Sequence, residues 1–368
     1  YDRPGLEPHA LSLFFGFGSP LLRLIEGNVV KGAMVHLKHN GSGSGKSTAQ
    51  MVANSIFGHP DDLLMKKEDT YAAKMHMLGM VNSLIFTVDE ITNEKAEVLS
   101  DMAYGFTSGR GKHRMESQSN KMRVNHTTWC NITLTSGNAS ATDVLQQYKS
   151  TADGELRRVL EISVPKYTGA TKQEIDAVFS KLNTNYGLAG PLYIEYILKN
   201  MPQVRRLLVN MQAKIDEELQ LDQADRFHSS ILTCAFVGAL IAARLGLHSI
   251  ETSRIYQYAL NVVRDSRSAT KADVGDPTLI AQETLAAFIN ENVNNALVAP
   301  TANSAGLPER PAVSPKGPLR MRYDPVTREL AVSVAEFRKF FSLRQVDVRD
   351  SLVRLTQAKY LKHDGRSH

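Results

Sequence analysis

Apolar residues along this chain fall into two alternating patterns. Short unbroken runs read as buried strands, and stretches with apolar positions three and four apart read as helices. The run 33–37 (AMVHL) is the first strand, and 48–57 (TAQMVANSIF) is a helix stopped by Gly58-His59-Pro60. Asp69-Thr70 caps a helix over 71–81. A second strand, 84–88, ends on Asp89-Glu90, and Thr92-Asn93 opens a helix to about 104. A third strand, 128–135 (TWCNITLT), ends at Ser136-Gly137-Asn138, and Ser140 with Asp143 matches a capping box. A fourth strand lies within 157–165, with Arg157 and Arg158 at its mouth. Strands alternating with helices imply an α/β sheet flanked by helices.

Beyond Thr171 the pattern is helical. Thr171 with Glu174 is another capping box, and helices are expected at 172–182, 190–200, 203–219, 224–245 and 250–264. Asp276-Pro277 starts one more, to about 297. Residues 300–318 carry five prolines and read as a linker. In 319–368, two short strands pair around Asp324-Pro325 and two helices follow, a winged-helix-like pattern. The expected segments are therefore a helical lead over 1–30, a P-loop core over 31–168, and a helical domain over 169–299. The 300–318 linker and the basic 319–368 module complete the chain.

Composition narrows the class. At 368 residues, 42% hydrophobic and 22% charged, the chain can build a sizeable core. The net charge of +5 favours anionic partners. The 319–368 module holds 11 Lys/Arg against 6 Asp/Glu, an excess equal to that of the whole chain. A nucleic-acid surface and an oligomer contact both fit it. Cys130 and Cys234 lack metal-type spacing and read as reduced structural thiols. The apolar stretch 231–245 contains Thr233 and Arg244 and falls short of the about 20 residues a bilayer needs, so no membrane partner is expected. Starting at Tyr1 without a signal peptide, the chain reads as a cytoplasmic piece of a longer protein.

The candidate chemistry begins at Asn40-Gly41-Ser42-Gly43-Ser44-Gly45-Lys46-Ser47-Thr48, between a strand and a helix. That is the context of a phosphate-binding loop. Glycines let backbone N–H groups close on phosphate oxygens, and the helix start adds partial positive charge. Lys46 supplies a cation for the β and γ phosphates, and the Ser47 hydroxyl is placed for Mg²⁺. Asn40 stands where the strict pattern has glycine, and it tolerates a left-handed turn. Of the acidic couplet, Asp89 is assigned to the metal and Glu90 to the attacking water. Asn138 closes the third strand, where its polar tip reaches for the γ-phosphate or its water, and the turn chemistry of Ser-Gly-Asn fits the same residue. Arg110, Lys112, His113 and Arg114 lie on a glycine-rich loop suited to a nucleic-acid backbone, and a solvated loop fits the same charges.

Taken together, Lys46, Asp89-Glu90, the Lys112-His113 loop, Asn138 and Arg158 resemble the motif order of superfamily III helicases, ring-forming AAA+ motors. More closely, 11–164 resembles the helicase-like domain of phage and mobile-element primase-helicase proteins, where a Gly-x-Gly-Lys-x-Arg loop follows the acidic strand. Here that loop is Gly109-Arg110-Gly111-Lys112-His113-Arg114. The resemblance implies an AAA+-like ATPase that uses ATP and Mg²⁺ and assembles as a hexameric ring. It also implies movement on single-stranded or forked DNA, and an arginine finger acting on a neighbour's nucleotide. Arg158, which abuts the strand, is favoured over Arg157 for that finger. Two other classes stay open: a nucleotide-gated DNA scaffold or loader, and a small-molecule P-loop kinase.

Overall fold

The apolar runs form the parallel centre of one sheet. The computed structural model describes every residue except 28–29, 112–113, 116–121, 124–126, 149–152, 274–276, 300–313, 345 and 363–368. At 93, 114–115, 122–123, 147, 153 and 269–273 it describes the backbone alone. The chain divides into two units, Tyr1–Tyr148 with Ala152–Thr270, and Lys149–Thr151 with Lys271–His368.

In the first unit, α1 (Glu7–Gly18) leads to β1 (Gly32–Lys38), α2 (Lys46–Asn54), β2 (Leu64–Met65), α3 (Tyr71–Val81), β3 (Phe86–Val88) and α4 (Ala96–Thr107). A short antiparallel pair, β4 (Arg114–Met115) and β5 (Met122–Arg123), precedes β6 (Asn131–Gly137). Then come α5 (Ala141–Tyr148), α6 (Asp153–Leu156) and β7 (Val159–Ser163). The main sheet runs β2-β3-β6-β1-β7, all parallel. Residues of β1 alternate between its faces, as a strand requires. Ala33, Val35 and Leu37 join one core cluster with α1 and the later helices, while Met34 joins a second with Phe86, Phe106 and Trp129. Trp129 is thus a core residue, its indole N–H donating to Phe106 O at 2.7 Å.

The helices α7 (Lys172–Leu182), α8 (Ala189–Lys199), α9 (Met201–Leu219) and α10 (Arg226–Arg244) come next in this unit. The long α11 (Thr252–Asp273) follows them. They do not stand apart as the 169–299 segment implied. At the crossing of α1 and α10, a Cβ on Gly18 would lie 2.7 Å from Ala235 N, and one on Gly238 would lie 2.7 Å from Gly18 N. The two backbones therefore touch. Tyr193 of α8, wholly buried, donates its hydroxyl to Phe17 O at 2.6 Å. The stretch Gln223–Arg244 is long and apolar enough to cross a bilayer, and 83% of its most apolar window is buried inside the fold. Both cysteines are free and buried.

The second unit has α12 (Pro277–Glu291), β8 (Ala296–Val298), β9 (Met321–Asp324), β10 (Glu329–Val332), α13 (Val334–Leu343) and α14 (Val348–Gln357). The hairpin and two helices expected at its end are present. The helix read to 297 stops earlier, and its last residues form β8, parallel to β9. Phe288, Met321, Phe337, Phe341 and Leu355 make a separate core. Several of its cations are paired: Arg320 with Glu336, Arg344 with Glu291, Arg354 with Asp350, and Lys362 with Glu329. The basic excess of this module is therefore not a bare stripe.

Candidate nucleotide-binding site

The sheet order decides what meets at its C-terminal edge. β6 lies between β1 and β3, so the end of β6 separates the glycine loop from the acidic couplet. The loop after β1 turns through Gly43 (φ 79°) and Gly45 (φ 87°), both left-handed, and α2 starts at Lys46. Asn40 is not among the left-handed residues, so its substitution for glycine leaves the turn intact. The loop helix is pinned across the sheet. Buried Gln50 donates Nε2 to Val88 O and Leu134 O, each at 2.9 Å, and Asn54 donates to Thr87 Oγ1 at 2.8 Å.

Lys46 is nearly buried, and its Nζ donates to His39 O at 3.3 Å, Gly41 O at 3.4 Å and Asn138 Oδ1 at 3.1 Å. Burial draws its pKa below the ordinary lysine value, and the nearby Glu90 and Asp89 pull it back. Ser47 Oγ donates to Asp89 Oδ2 at 3.0 Å. Asn138 Nδ2 donates to Glu90 Oε2 at 3.2 Å, so one amide touches both the lysine and the second acid. Thr92 holds that amide's backbone, accepting from Asn138 N at 3.1 Å. Glu90 sits in a left-handed conformation, φ 55° and ψ 49°, which costs a non-glycine residue about 1–2 kcal/mol.

Lys46, Ser47, Asp89, Glu90 and Asn138 are therefore brought together. Gly41, Ser42, Gly43, Ser44, Gly45 and Thr48 form the cradle around them. The hydroxyl of Ser47 and the carboxylate of Asp89 are the hard oxygen donors Mg²⁺ takes. Ser44 Oγ is buried and has no partner among the described residues, as a group facing a phosphate would be.

Two residues of the site were not read from the sequence. Ser136, wholly buried, donates Oγ to Asp89 Oδ1 and accepts from Glu90 N at 3.2 Å, tying both acids to β6. It is two residues before Asn138, which follows the strand directly, and the two-residue repeat of an extended chain makes that spacing a usable signal. The other is His9 of α1. Its Nε2 lies 3.0 Å from Ser44 O, and a Cβ on Gly45 would come within 2.6 Å of the same atom. Burial lowers the His9 pKa, so it is a neutral prop under the loop. No local pattern in the sequence marks this contact.

The remaining candidates lie elsewhere. Arg158 precedes β7, at the sheet edge opposite the glycine loop, so it does not reach the loop of its own chain. Its guanidinium lies over Tyr104 at 4.6 Å and Phe227 at 5.1 Å, and it donates to Gly154 O. Arg157 pairs with Asp225 at 3.8 Å, a carboxylate that also binds Arg267 at 3.0 Å. Arg110 is exposed at the root of the 109–128 loop, where it bridges to Thr128. Lys112 and His113 lie outside the described residues, and Arg114 is described in its backbone alone.

A solved helicase shares this fold. The structure described as "SCCmec type IV Cch - active helicase" is similar over 98% of this chain, with a TM-score of 0.62 and 16% identity. The chain spans 64% of that protein's length. At this identity the likeness shows the fold alone. Residues 9–126 match a family model described as a domain of unknown function, DUF927. NtrX from Brucella abortus, solved in complex with ATP, is similar only at a TM-score of 0.30 and 10% identity, over 78% of this chain and 62% of its own. That score carries no argument. No curated protein matches the chain.

Proposed function

We propose that this protein is an AAA+-like P-loop ATPase that moves on single-stranded or forked DNA and separates strands during phage or mobile-element replication. The observation that carries the reading is the Asn138 amide, held between the loop lysine and the second acid of the couplet. A phosphate-binding loop alone fits many proteins. A loop with a metal-binding pair, a placed base and a polar group between them fits hydrolysis of a nucleoside triphosphate.

In this reading the loop N–H groups and Lys46 hold the phosphates. Lys46 sits on neutral oxygens of its own loop, which anionic oxygens outcompete. Ser47 and Asp89 hold Mg²⁺, which when bound neutralises charge on the phosphate oxygens. Glu90 accepts the proton of the attacking water, and Asn138 orients that carboxylate. Arg158 acts on the nucleotide of a neighbouring copy in a hexameric ring, for which it must leave the faces of Tyr104 and Phe227. The loop carrying Arg110, Lys112, His113 and Arg114 grips the strand. Assembly and DNA contact are expected in the cytoplasm of a bacterial host.

The test is ATP turnover with and without single-stranded DNA, alongside unwinding of a forked duplex. DNA-stimulated turnover with unwinding is the expected result, and Lys46→Ala removes both. Turnover without unwinding points to a loader, and phosphate transfer to a metabolite points to a kinase. Unchanged turnover in Lys46→Ala refutes the site.

A further inference from the structure

A cavity of about 470 Å³ opens in the first unit, at the sheet edge opposite the glycine loop. Its wall includes Arg23, Lys31, Arg110, Thr128, Trp129 and Cys130, and no carboxylate among the described residues lines it. Arg23, Lys31 and Arg110 come from three separate places: the turn after α1, the entry to β1, and the root of the 109–128 loop. All three are exposed. Cations from three separate elements thus meet around one concavity, and such a concentration of positive charge attracts an anion.

The wall is built rather than incidental. Asn82 adopts φ 55° and ψ −85°, a conformation few side chains tolerate. From there its Oδ1 accepts from Arg23 Nη2 at 2.8 Å and its Nδ2 donates to Thr128 O at 2.7 Å. Its carbonyl accepts from Cys130 N at 3.1 Å. One strained residue thus fixes the direction of Arg23 and the back of the cavity. On the other side, Gly109 is left-handed at φ 77°, and a Cβ there would lie 2.3 Å from Lys31 Cβ. Glycine lets the lysine stem cross the loop root. The two ends of the loop are joined there by Gly111 N to Thr127 O at 2.9 Å and Trp129 N to Gly109 O at 3.1 Å. Lys31 and Arg23 also offset part of the burial that raises the Cys130 thiol pKa, so their field reaches the back wall. Trp129 is buried, and its N–H is committed to Phe106, so it offers no stacking face.

We propose that this cavity binds a backbone phosphate and its adjoining sugar from single-stranded nucleic acid, with Lys31, Arg23 and Arg110 as the phosphate contacts. It continues the basic loop inward with two residues that lie outside the loop. The cavity is larger than a lone phosphate needs, it opens where the loop is rooted, and the charged residues among its described lining are cations. This inference rests on the DNA-motor reading and is tested so that the two can fail separately.

The test is binding of a fluorescent oligothymidylate to the full chain across a salt series, for wild type, Lys31→Ala, Lys31→Glu and Arg23→Gln. The glutamine keeps a donor for Asn82 while removing the charge. The expected result is a salt slope shallower by about 0.7 per contact removed. Binding by Lys31→Glu is weaker than by Lys31→Ala, and turnover without DNA is unchanged in each folded variant. Wild-type affinity and slope in all three variants overturn the inference alone. A wild-type chain that hydrolyses ATP but does not bind the oligonucleotide overturns both readings. Calorimetric binding of inorganic phosphate that is lost in Lys31→Glu, with oligonucleotide binding intact, makes the cavity a free-anion site and also overturns the backbone assignment. Should Lys31→Glu fail to fold, Lys31→Ala and Arg23→Gln carry the same test.

Discussion

Asn138→Ala removes a side chain that touches both Lys46 and Glu90. It deletes a bond accepted from an ammonium at 3.1 Å and a bond donated to a carboxylate at 3.2 Å. Hydrogen bonds to charged groups contribute about 1.5–3 kcal/mol each. Here Asn138 and Glu90 reach solvent, so the lower end applies. One such bond acting only in the transition state corresponds to about tenfold in rate, and two to about 10²-fold. Glu90 keeps its backbone bond to Ser136, and Lys46 keeps two carbonyl acceptors, so neither is released into solvent. The expected outcome is a kcat for ATP hydrolysis lower by about 10²-fold with ATP affinity little changed. Asn138→Asp, which sets a carboxylate against Glu90 and pairs with Lys46, loses more. Steady-state turnover and equilibrium binding of a fluorescent ATP analogue measure the two quantities. A kcat within about threefold of wild type, or a loss confined to binding, refutes the assignment of Asn138 between base and phosphate.

Further outcomes follow from other residues. Glu90→Gly relieves a left-handed glutamate, so it raises stability by about 1 kcal/mol in thermal unfolding while abolishing turnover. A lowered Tm contradicts the strain argument. Gly45→Ala combines a left-handed alanine with a 2.6 Å approach to His9, so nucleotide binding is lost with at least about 1 kcal/mol of stability. Unchanged binding would show that the loop has room. Arg158→Ala lowers turnover of the assembled protein by about 10³-fold, and mixing it with Glu90→Gln subunits restores part of it. A lowered Tm with full turnover makes Arg158 a packing residue on Tyr104 and Phe227. His36, wholly buried in β1, has its pKa pushed down to about 4 by burial. Protons then favour the unfolded chain below its ordinary 6.5, so stability is full above that value and falls as pH drops from 6.5 to 4. The loss is about 3 kcal/mol. His9, His228 and His248 are lowered in the same direction, so the slope that His36→Gln removes from the unfolding curve isolates His36.

Strand and helix positions were legible because burial on both faces leaves unbroken apolar runs and because caps have fixed spacing. Thr70 accepts from Ala73 N, and Thr171 closes its box with Glu174, as their spacing implied. The segment after Asp276 was misread at its end because Ala296 to Val298 suits either a helix or a strand, and only pairing with β9 decides it. From sequence the helices after 171 read as a separate domain, because composition does not report that Gly18 and Gly238 let two backbones touch.

By itself, the chain of residues determined the phosphate loop, the acidic couplet and the polar strand end, since each is a local run whose chemistry needs only its neighbours. What only the tertiary structure decided is how those runs meet. Sheet order inserted β6 between β1 and β3, and so placed Ser136 and Asn138 among the charges. The packing of α1 set His9 beneath Gly45, while a strained Asn82 directed Arg23 and a left-handed Gly109 let Lys31 pass at the far edge. Such contacts join residues far apart in the chain, and no periodicity within one segment encodes them.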